Sequence, residues 1–257
     1  MKFSNQFLDK RVLITGASRG IGLATAKAFL TAGARVAING RSDASVSMAI
    51  EALKPGGRVV AAPGDVAKVA GCEAIVETAI DGLGGLDILV NSAGLFSLKS
   101  MEDSDETFWD SMMDTNVKGT YYCSRAALPA LRESQGNIVN LASVAGLEGY
   151  SDITVYCASK GAIVNLTRAM AMELAPTVRV NCICPGLIDT DMARNEFTTS
   201  EAEADAEMAA KGEGYPMQRI GTAEEVASSI LYLSSSDAGF ITGIALPIEG
   251  GFTAGSK

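Results

Sequence analysis

The segment Tyr156-Cys157-Ala158-Ser159-Lys160 carries a tyrosine and a lysine four residues apart. On a helix that spacing places both side chains on the same face. A tyrosine in solution has a pKa near ~10, so only about 0.1% of it is phenolate at neutral pH. An ammonium close by favours the anion and lowers that pKa. The pair therefore predicts a tyrosine that exchanges a proton near neutral pH.

Ser143 lies thirteen residues before Tyr156, at the end of an apolar run. A hydroxyl in that place can donate a hydrogen bond to a carbonyl oxygen as negative charge develops on it. Taken singly, Tyr156 also suits a core aromatic, Lys160 a surface lysine and Ser143 a helix cap. The joint spacing favours a site for proton transfer over those separate roles.

No histidine occurs among the 257 residues. Its absence excludes Ser-His-Asp and Cys-His catalysis, a histidine-ligated zinc site and a histidine general base. The five cysteines show no Cys-x-x-Cys spacing, so we expect reduced core thiols and no metal site. Any proton transfer must run through Asp, Glu, Lys, Tyr or Cys side chains.

A glycine-rich turn follows the apolar run Val12-Leu13-Ile14. Glycines let the chain turn sharply and let its backbone approach a pyrophosphate, and a helix that begins at Gly20 would offer free N–H groups. An ordinary glycine-rich turn is the alternative, but the position in the first strand–helix connection favours phosphate binding. Cofactor contacts are expected at Gly16, Ser18, Arg19, Gly20, Ile21 and Gly22.

The spacing in residues 15–22, Thr-Gly-x-x-x-Gly-x-Gly, resembles the fingerprint of the classical short-chain dehydrogenase/reductase family. The resemblance extends through nearly the whole chain and is greatest to the 3-oxoacyl-carrier-protein reductase branch. It implies hydride transfer between a nicotinamide and a carbonyl or secondary alcohol. By resemblance, Ser143, Tyr156 and Lys160 are catalytic, and Lys160 also holds the ribose. Asn116 matches the fourth catalytic residue, which supports a water that relays protons to Lys160.

The end of the second predicted strand reads Asn39-Gly40-Arg41 and carries no acid. An acid there would bind the ribose diol of NAD, whereas a nearby arginine accommodates the 2′-phosphate of NADP. Arg41 and Arg19 can both pair with that phosphate, although each alone is compatible with a solvated surface residue. The segment predicts NADP(H) in preference to NAD(H).

Further cofactor contacts are implied by the resemblance alone. The pair Asp65-Val66 resembles the one that holds the adenine, and residues 91–94 resemble the family's Asn-Asn-Ala-Gly with a departure at Ser92. A later segment resembles the one that positions the nicotinamide amide. The implied contacts in these segments are Asp65, Val66, Asn91, Ala93, Gly94, Pro185, Gly186, Ile188 and Thr190.

The substrate is not named by the sequence. An acyl thioester on an acidic carrier protein needs a basic entrance, and the net charge of −9 argues against it, although Arg125, Arg132 and Arg168 are candidates for a local patch. A small ketone, sugar or cyclic alcohol is the alternative, and a catalytically silent NADP(H)-binding sensor or scaffold is another. By position, the candidate pocket residues are Phe96, Ala145, Gly146, Glu148, Tyr150, Leu187, Met192 and Tyr215.

Seven short, continuously apolar runs alternate with helical patterns along the chain. Continuous apolar strands are typical of parallel sheets buried on both faces. The sequence therefore predicts one α/β domain over residues 1–257, with a Rossmann-type doubly wound, mostly parallel seven-stranded sheet and helices on both faces. The predicted strands are 11–15, 35–39, 58–62, 86–91, 136–141, 178–183 and 244–247, and the helices 22–32, 42–53, 66–82, 105–133, 155–175 and 223–234.

The segment at about 187–220 departs from this alternation and is rich in acids, among them Glu196, Glu201, Glu203, Asp205 and Glu207. It follows the carboxyl end of a strand, where ligands bind in α/β proteins. We expect a mobile substrate lid here, and a solvated surface helix is the alternative.

Composition limits the partners and the location. An excess of acids disfavours nucleic acid and anionic membranes. The N-terminus lacks a signal-peptide pattern, and no 18-residue apolar run occurs, so a cytoplasmic location is expected. The family resemblance implies a homotetramer or homodimer. The small residues Ala158, Gly161, Ala162 and Ala169 and the ring of Phe252 are candidates for its interfaces, although the small residues could equally serve the internal core.

Overall fold

The computed structural model describes residues 6–54, 58–197, 200 and 203–255. Seven strands form one sheet in which every neighbouring pair is parallel, in the order β3-β2-β1-β4-β5-β6-β9. A separate parallel pair joins β7 to β8. The described strands are β1 (Arg11–Thr15), β2 (Arg35–Ile38), β3 (Val59–Ala61), β4 (Ile88–Asn91), β5 (Asn137–Leu141), β6 (Arg179–Pro185), β7 (Ile188–Asp189), β8 (Gly221–Thr222) and β9 (Ala245–Ile248).

Helices cover both faces of the seven-stranded sheet. One apolar core includes α1, α2 and α9, and a second includes α3, α5 and α6. The described α-helices are α1 (Gly20–Thr31), α2 (Asp43–Leu53), α3 (Val69–Leu83), α4 (Glu106–Met113), α5 (Gly119–Ser134), α6 (Thr154–Leu174), α7 (Asp191–Phe197), α8 (Ala204–Gly212) and α9 (Ala223–Ser234). The predicted doubly wound fold is confirmed, since fully buried strands such as Val12, Leu13 and Ile14 need apolar cover on both sides.

The direction of strand order reverses between β1 and β4. The chain runs outward from β1 to β3 and then returns to β4 on the other side of β1. Loops at the carboxyl ends of these two strands diverge, and the crevice between them is where doubly wound folds bind ligands. Thr15 and Asn91, the last residues of β1 and β4, are register partners at this point.

The helix predicted over residues 105–133 is present, but a π-helical turn that was not predicted interrupts it. The structure has α4, then a π-helical turn at Asp114–Lys118, then α5. A π-helical turn inserts one residue into the helix and rotates the side chains that follow it, and such turns are frequent at functional sites. This one contains Asn116.

The predicted lid contains β7, α7, α8 and β8, none of which was predicted from the sequence. Glu201 lies outside the described residues. Arg194 in α7 forms ion pairs with Asp189 in β7 and Asp205 in α8, each at 2.7 Å. These pairs tie the two helices to the short strand that starts the segment.

Candidate active site

Ser143, Tyr156 and Lys160 come together at the carboxyl end of β5. Ser143 lies two residues after that strand, and Tyr156 and Lys160 lie in the first two turns of α6. The Ser143 hydroxyl lies 3.5 Å from the Pro185 carbonyl oxygen at the end of β6 and close enough to Tyr156 to influence the pKa of that phenol. The Lys160 Nζ lies 5.6 Å from the centre of the Tyr156 ring. The spacing that predicted a shared site therefore corresponds to real proximity.

Burial sets the protonation of both α6 residues. It raises the pKa of Tyr156 to about 12, and the Ser143 hydroxyl acts in the opposite direction. Burial also lowers the pKa of Lys160 to about 8. The expectation of a lowered tyrosine pKa is not met in the protein alone. There, the neutral phenol is favoured, and a neutral phenol can donate a proton.

We expect Lys160 to make stability depend on pH in the cofactor-free protein. Its folded pKa of about 8 lies below the ordinary 10.5, so the folded state binds fewer protons between these values and stability rises with pH through that window. Relative to Lys160→Met, the wild-type free energy of unfolding should gain about 3 kcal/mol between pH 8 and 10.5, as urea denaturation would measure. The exposed Lys27 gives the control variant Lys27→Met. Parallel curves for wild type and Lys160→Met would contradict the expectation.

Asn116 is buried in the π-helical turn and reaches toward the same place. Its Oδ1 accepts a hydrogen bond from the Leu95 N–H (2.7 Å), and its Nδ2 donates to the Leu95 carbonyl (3.1 Å) and the Ser159 hydroxyl (3.0 Å). A Cβ placed on Gly94 would lie 3.4 Å from Asn116 Oδ1 and 3.6 Å from Lys160 Nζ. Gly94 therefore leaves a small space between the amide and the ammonium, in which a bridging water would fit the predicted relay.

The glycine turn leads directly into α1, as predicted. No side chain caps this helix, whereas Ser42, Asp105 and Thr222 cap α2, α4 and α9. Its first N–H groups, ahead of the bond from Leu23 to Arg19, thus remain available to an anion. Gly16 has φ +63°, and a Cβ there would lie 2.6 Å from Ala93 Cα, so only glycine fits. These features suit a pyrophosphate.

The residues that follow β2 differ in burial: Asn39 is buried, whereas Arg41 is exposed. The Asn39 amide is buried; it donates to the carbonyls of Ala62 (2.9 Å) and Gly64 (3.1 Å) and accepts from the Gly16 N–H (3.2 Å). Its side chain therefore holds the loops together rather than facing a ligand. Arg19 and Arg41 are exposed, and neither guanidinium is hydrogen-bonded or ion-paired within the part of the chain that the structure describes.

The remaining predicted cofactor residues follow the neighbouring strands. Asn91 is buried with its Nδ2 bonded to Ser124 and Asn140, both at 2.9 Å, while its Oδ1 has no partner among the described residues. Thr190 lies against the glycine turn, since its Cγ2 would be 3.5 Å from a Cβ on Gly20. Asp65, Ser18, Ile21, Gly22, Gly40, Ala93, Gly94 and Gly186 are in loops or helix starts at this edge, and Val66, Pro185 and Ile188 are buried beside them.

Aromatic rings connect the predicted lid to Tyr156. The Phe96 ring packs edge-on against Tyr156 (4.8 Å between centroids) and contacts Phe197 of α7 (5.5 Å). The Nζ of Lys211 in α8 lies over the Phe197 ring, 4.8 Å from its centre. The segment thus reaches Tyr156 through Phe96, and Phe197 is a functional candidate that the sequence reasoning missed.

A second group of rings packs together near the carboxyl end of β6. Phe252 contacts Tyr215 (5.0 Å between centroids) and stacks on Tyr150 (6.3 Å). The Tyr215 hydroxyl accepts a hydrogen bond from the Leu187 N–H (3.0 Å). We call Tyr150, Tyr215 and Phe252 the aromatic wall. The sequence suggested Phe252 as an interface residue, whereas in the structure it belongs to the aromatic wall. Because Phe252 is far from Tyr150 and Tyr215 in sequence, nothing in the sequence indicated this contact.

A cavity of ≈ 350 Å³ adjoins Leu187 and Tyr215, and the Arg219–Glu225 ion pair lies in its lining. None of the four predicted catalytic residues lines it. Of the remaining pocket candidates, Ala145 is buried, Gly146 and Met192 are partly buried, and Glu148 is exposed. The side chains at the carboxyl end of β5, and not this cavity, therefore define the candidate active site.

Comparisons with known proteins identify relatives of the whole chain. A family model described as enoyl-(acyl carrier protein) reductase matches residues 16–253. The chain is 41% identical to 2-(S)-hydroxypropyl-CoM dehydrogenase 3 of Xanthobacter autotrophicus, covering 98% of this chain and 99% of the relative. It is 37% identical to meso-2,3-butanediol dehydrogenase of Serratia marcescens (97% and 96% covered). The ligand-free aldohexose dehydrogenase of Thermoplasma acidophilum superposes with a TM-score of 0.89 at 32% identity (99% and 97% covered).

Proposed function

Since the chain belongs to the short-chain dehydrogenase/reductase family, we propose that it transfers hydride between NADP(H) and the carbonyl carbon of a small ketone or the corresponding secondary alcohol. It is an oxidoreductase of alcohol and carbonyl groups, and its family implies a nicotinamide cofactor. The observation that carries the proposal is the meeting of Ser143, Tyr156, Lys160 and Asn116 at one edge of the sheet.

When bound, NADPH supplies the hydride. Ser143 and Tyr156 donate hydrogen bonds to the substrate oxygen as it becomes negative, and Tyr156 then donates its proton. The raised pKa of Tyr156 keeps the phenol protonated until that step. Lys160 holds the ribose hydroxyls and, with Asn116 and a water, returns a proton to the tyrosine. In oxidation the same groups act in reverse.

NADP(H) rather than NAD(H) is proposed because two exposed guanidinium groups flank the position expected for the 2′-phosphate. Arg19 directly precedes α1, and Arg41 follows the buried Asn39. An acid cannot replace Gly40 without crowding, since a Cβ there would lie 2.9 Å from Ser45 Oγ. The end of β2 therefore presents positive charge and no carboxylate.

We expect Arg41→Ala to lower kcat/KM for NADPH about 10–100-fold and to leave kcat/KM for NADH nearly unchanged. One charge-assisted hydrogen bond to phosphate contributes about 1.5–3 kcal/mol, which is that range of fold-change. Arg19→Ala should act in the same direction. Arg125→Ala, on the exposed surface of α5, is the matched control. Equal losses with NADPH and NADH would contradict the role of Arg41.

A panel of ketones, sugars, cyclic alcohols and acyl thioesters, followed at the reduced-nicotinamide absorbance band with each cofactor, tests the function. Turnover of a carbonyl or alcohol with NADPH is the expected result. Cofactor binding without any turnover would instead favour the sensor or scaffold. Arg132 and Arg168 lie in the later turns of α5 and α6, which return toward the amino ends of β5 and β6. Because they lie away from the site, they give no support to a carrier-protein entrance.

We also propose that the protein forms a homotetramer or homodimer. The proposal rests on the family, and the exposed side chains of Phe240, Ile244, Trp109 and Tyr121 are candidates for subunit contacts. The five cysteines are free thiols, in keeping with the proposed cytoplasmic location. Among the described residues, no helix has the length and apolar composition needed to cross a bilayer.

A further inference from the structure

Tyr150 carries a buried hydroxyl that the folded chain leaves unused. The residue lies in the loop between the 3-10 turn Val144–Gly146 and α6. Its Oη is shielded from solvent and makes no hydrogen bond of standard geometry within the described residues, although the Glu148 carboxylate lies close enough to act on it. A buried, unbonded hydroxyl is destabilising, so proteins pair most such groups. Among the described residues the same holds for Asn91 Oδ1, Asn137 Oδ1 and Ser234 Oγ, and Tyr150 differs from these in lying in the loop that follows Ser143.

The ring that carries this hydroxyl belongs to the aromatic wall. Tyr150 stacks on Phe252, which contacts Tyr215, and Tyr215 Cε1 would lie 3.3 Å from a Cβ on Gly186. Gly186 follows Pro185, whose carbonyl oxygen lies 3.5 Å from the Ser143 hydroxyl. The aromatic wall is therefore continuous with the segment that packs against the proposed catalytic serine.

The 3-10 turn before this loop packs against α6 and is capped by Ser143. The 3-10 turn packs so closely on α6 that a Cβ on Gly146 would contact the Lys160 carbonyl. Ser143 caps this turn by accepting a hydrogen bond from the Ala145 N–H (3.1 Å). Tyr150 thus belongs to a loop that begins at a turn capped by Ser143 and leads into α6, the helix that carries Tyr156.

The carboxylates of Glu148 and Glu249 lie near the aromatic wall and disfavour an anionic ligand there. Burial, and then the neighbouring Glu148 carboxylate, raise the pKa of Tyr150 to about 12, so the phenol is neutral. The pKa of Tyr215 is likewise raised, by burial first and by Glu249 among the smaller causes. An anionic group would meet carboxylates here. A neutral hydroxyl or carbonyl fits, because a phenol can both donate and accept.

We propose that Tyr150 is a specificity-determining residue whose hydroxyl hydrogen-bonds a second, neutral oxygen of the substrate. Preferred substrates then carry two oxygens, one at the reacting carbon and one held by Tyr150, as in diols, hydroxyketones and sugars. The inference rests on the proposed function, since it presumes that Ser143 and Tyr156 bind the reacting oxygen. A site with a buried unpaired group discriminates strongly against an analogue that leaves the group unpaired.

Tyr150→Phe tests this directly, because it removes one oxygen atom and keeps the stacked ring. The probes are 3-hydroxy-2-butanone and 2-butanone, which differ by one hydroxyl. We expect the wild type to prefer the hydroxyketone in kcat/KM, and the variant to lose about tenfold on it while 2-butanone is unchanged. NADPH affinity, measured by fluorescence, should not change. Tyr232→Phe, at an exposed tyrosine of α9, is the matched control.

Thermal unfolding without substrate separates recognition from a structural role. Since Oη makes no hydrogen bond of standard geometry, its removal should leave the melting temperature equal or higher. A lower melting temperature with equal losses on both probes would overturn the proposal, as would unchanged kinetics on both. If the wild type reduces 2-butanone but not the hydroxyketone, the inference fails while the proposed function stands. Failure to bind NADPH would instead remove the proposed function itself.

Discussion

Tyr156→Phe is expected to lower kcat by about 10³-fold while NADPH still binds. The substitution removes the only proton that the proposed chemistry delivers to the substrate oxygen, and general acid catalysis contributes about 10²–10⁴. The ring remains, so its edge-on contact with Phe96 at 4.8 Å is kept and the site should stay folded. With no histidine in the sequence, no imidazole can replace the phenol. Steady-state turnover and fluorescence titration with NADPH are the measurements.

Two controls sharpen this experiment. Tyr232→Phe makes the same chemical change on an exposed side chain and should turn over as the wild type does. Ser143→Ala removes the other donor to the substrate oxygen and should cost about 10²–10³. Turnover of Tyr156→Phe within tenfold of the wild type would show that another group carries the proton, and the role given to Tyr156 would have to be abandoned.

Gly16→Ala is expected to destabilise the fold by about 3 kcal/mol and to abolish measurable NADPH binding. Left-handed backbone costs a residue with a Cβ about 1–2 kcal/mol, and overpacking adds about 1–3. The clash is with the backbone of Ala93, at 2.6 Å from its Cα, so no rotamer change can relieve it. It would also disturb the two 3.1 Å bonds that Thr15 Oγ1 accepts from the Ser92 and Ala93 N–H groups.

The chain contains a matched control for that prediction. Gly84 has φ +77° but nothing within 4 Å of a Cβ, so Gly84→Ala tests backbone conformation without the clash. We expect it to cost about 1 kcal/mol and to leave NADPH binding intact. Urea denaturation and fluorescence titration compare the two variants. Equal losses of stability would mean that the approach of the glycine turn to Ala93 is not what requires glycine at position 16.

The sequence predicted the sheet well because its strands are buried on both faces. Runs such as Val12-Leu13-Ile14 cannot be placed elsewhere, and every predicted strand is present within two residues at each end. The π-helical turn at Asn116 could not be predicted, because periodicity measures only the average along a helix. Its cause is tertiary, since Asn116 is held by Leu95, twenty-one residues away along the chain.

The proximity of the proposed catalytic residues was predictable from spacing, whereas their electrostatics was not. The Tyr156–Lys160 pair suggested a lowered tyrosine pKa, but burial dominates both residues in the folded protein. The sequence also did not predict the buried hydrogen bonds made by the side-chain amides of Asn39 and Asn91. Both side chains are used by buried hydrogen bonds to other loops and strands, and which way an amide faces depends on neighbours that are distant in sequence.

The buried Asn39 restricts how coenzyme preference can be redesigned or can evolve. An aspartate at 39 would point a buried carboxylate oxygen at the carbonyls of Ala62 and Gly64, and a side chain at 40 would meet Ser45 and Val46. The position at which an acid can be introduced is therefore 41, the one that holds the arginine. Because the exposed Arg19 would remain, an acid at 41 would stand beside one arginine, and a full change from the proposed NADP(H) preference would require changes at both positions.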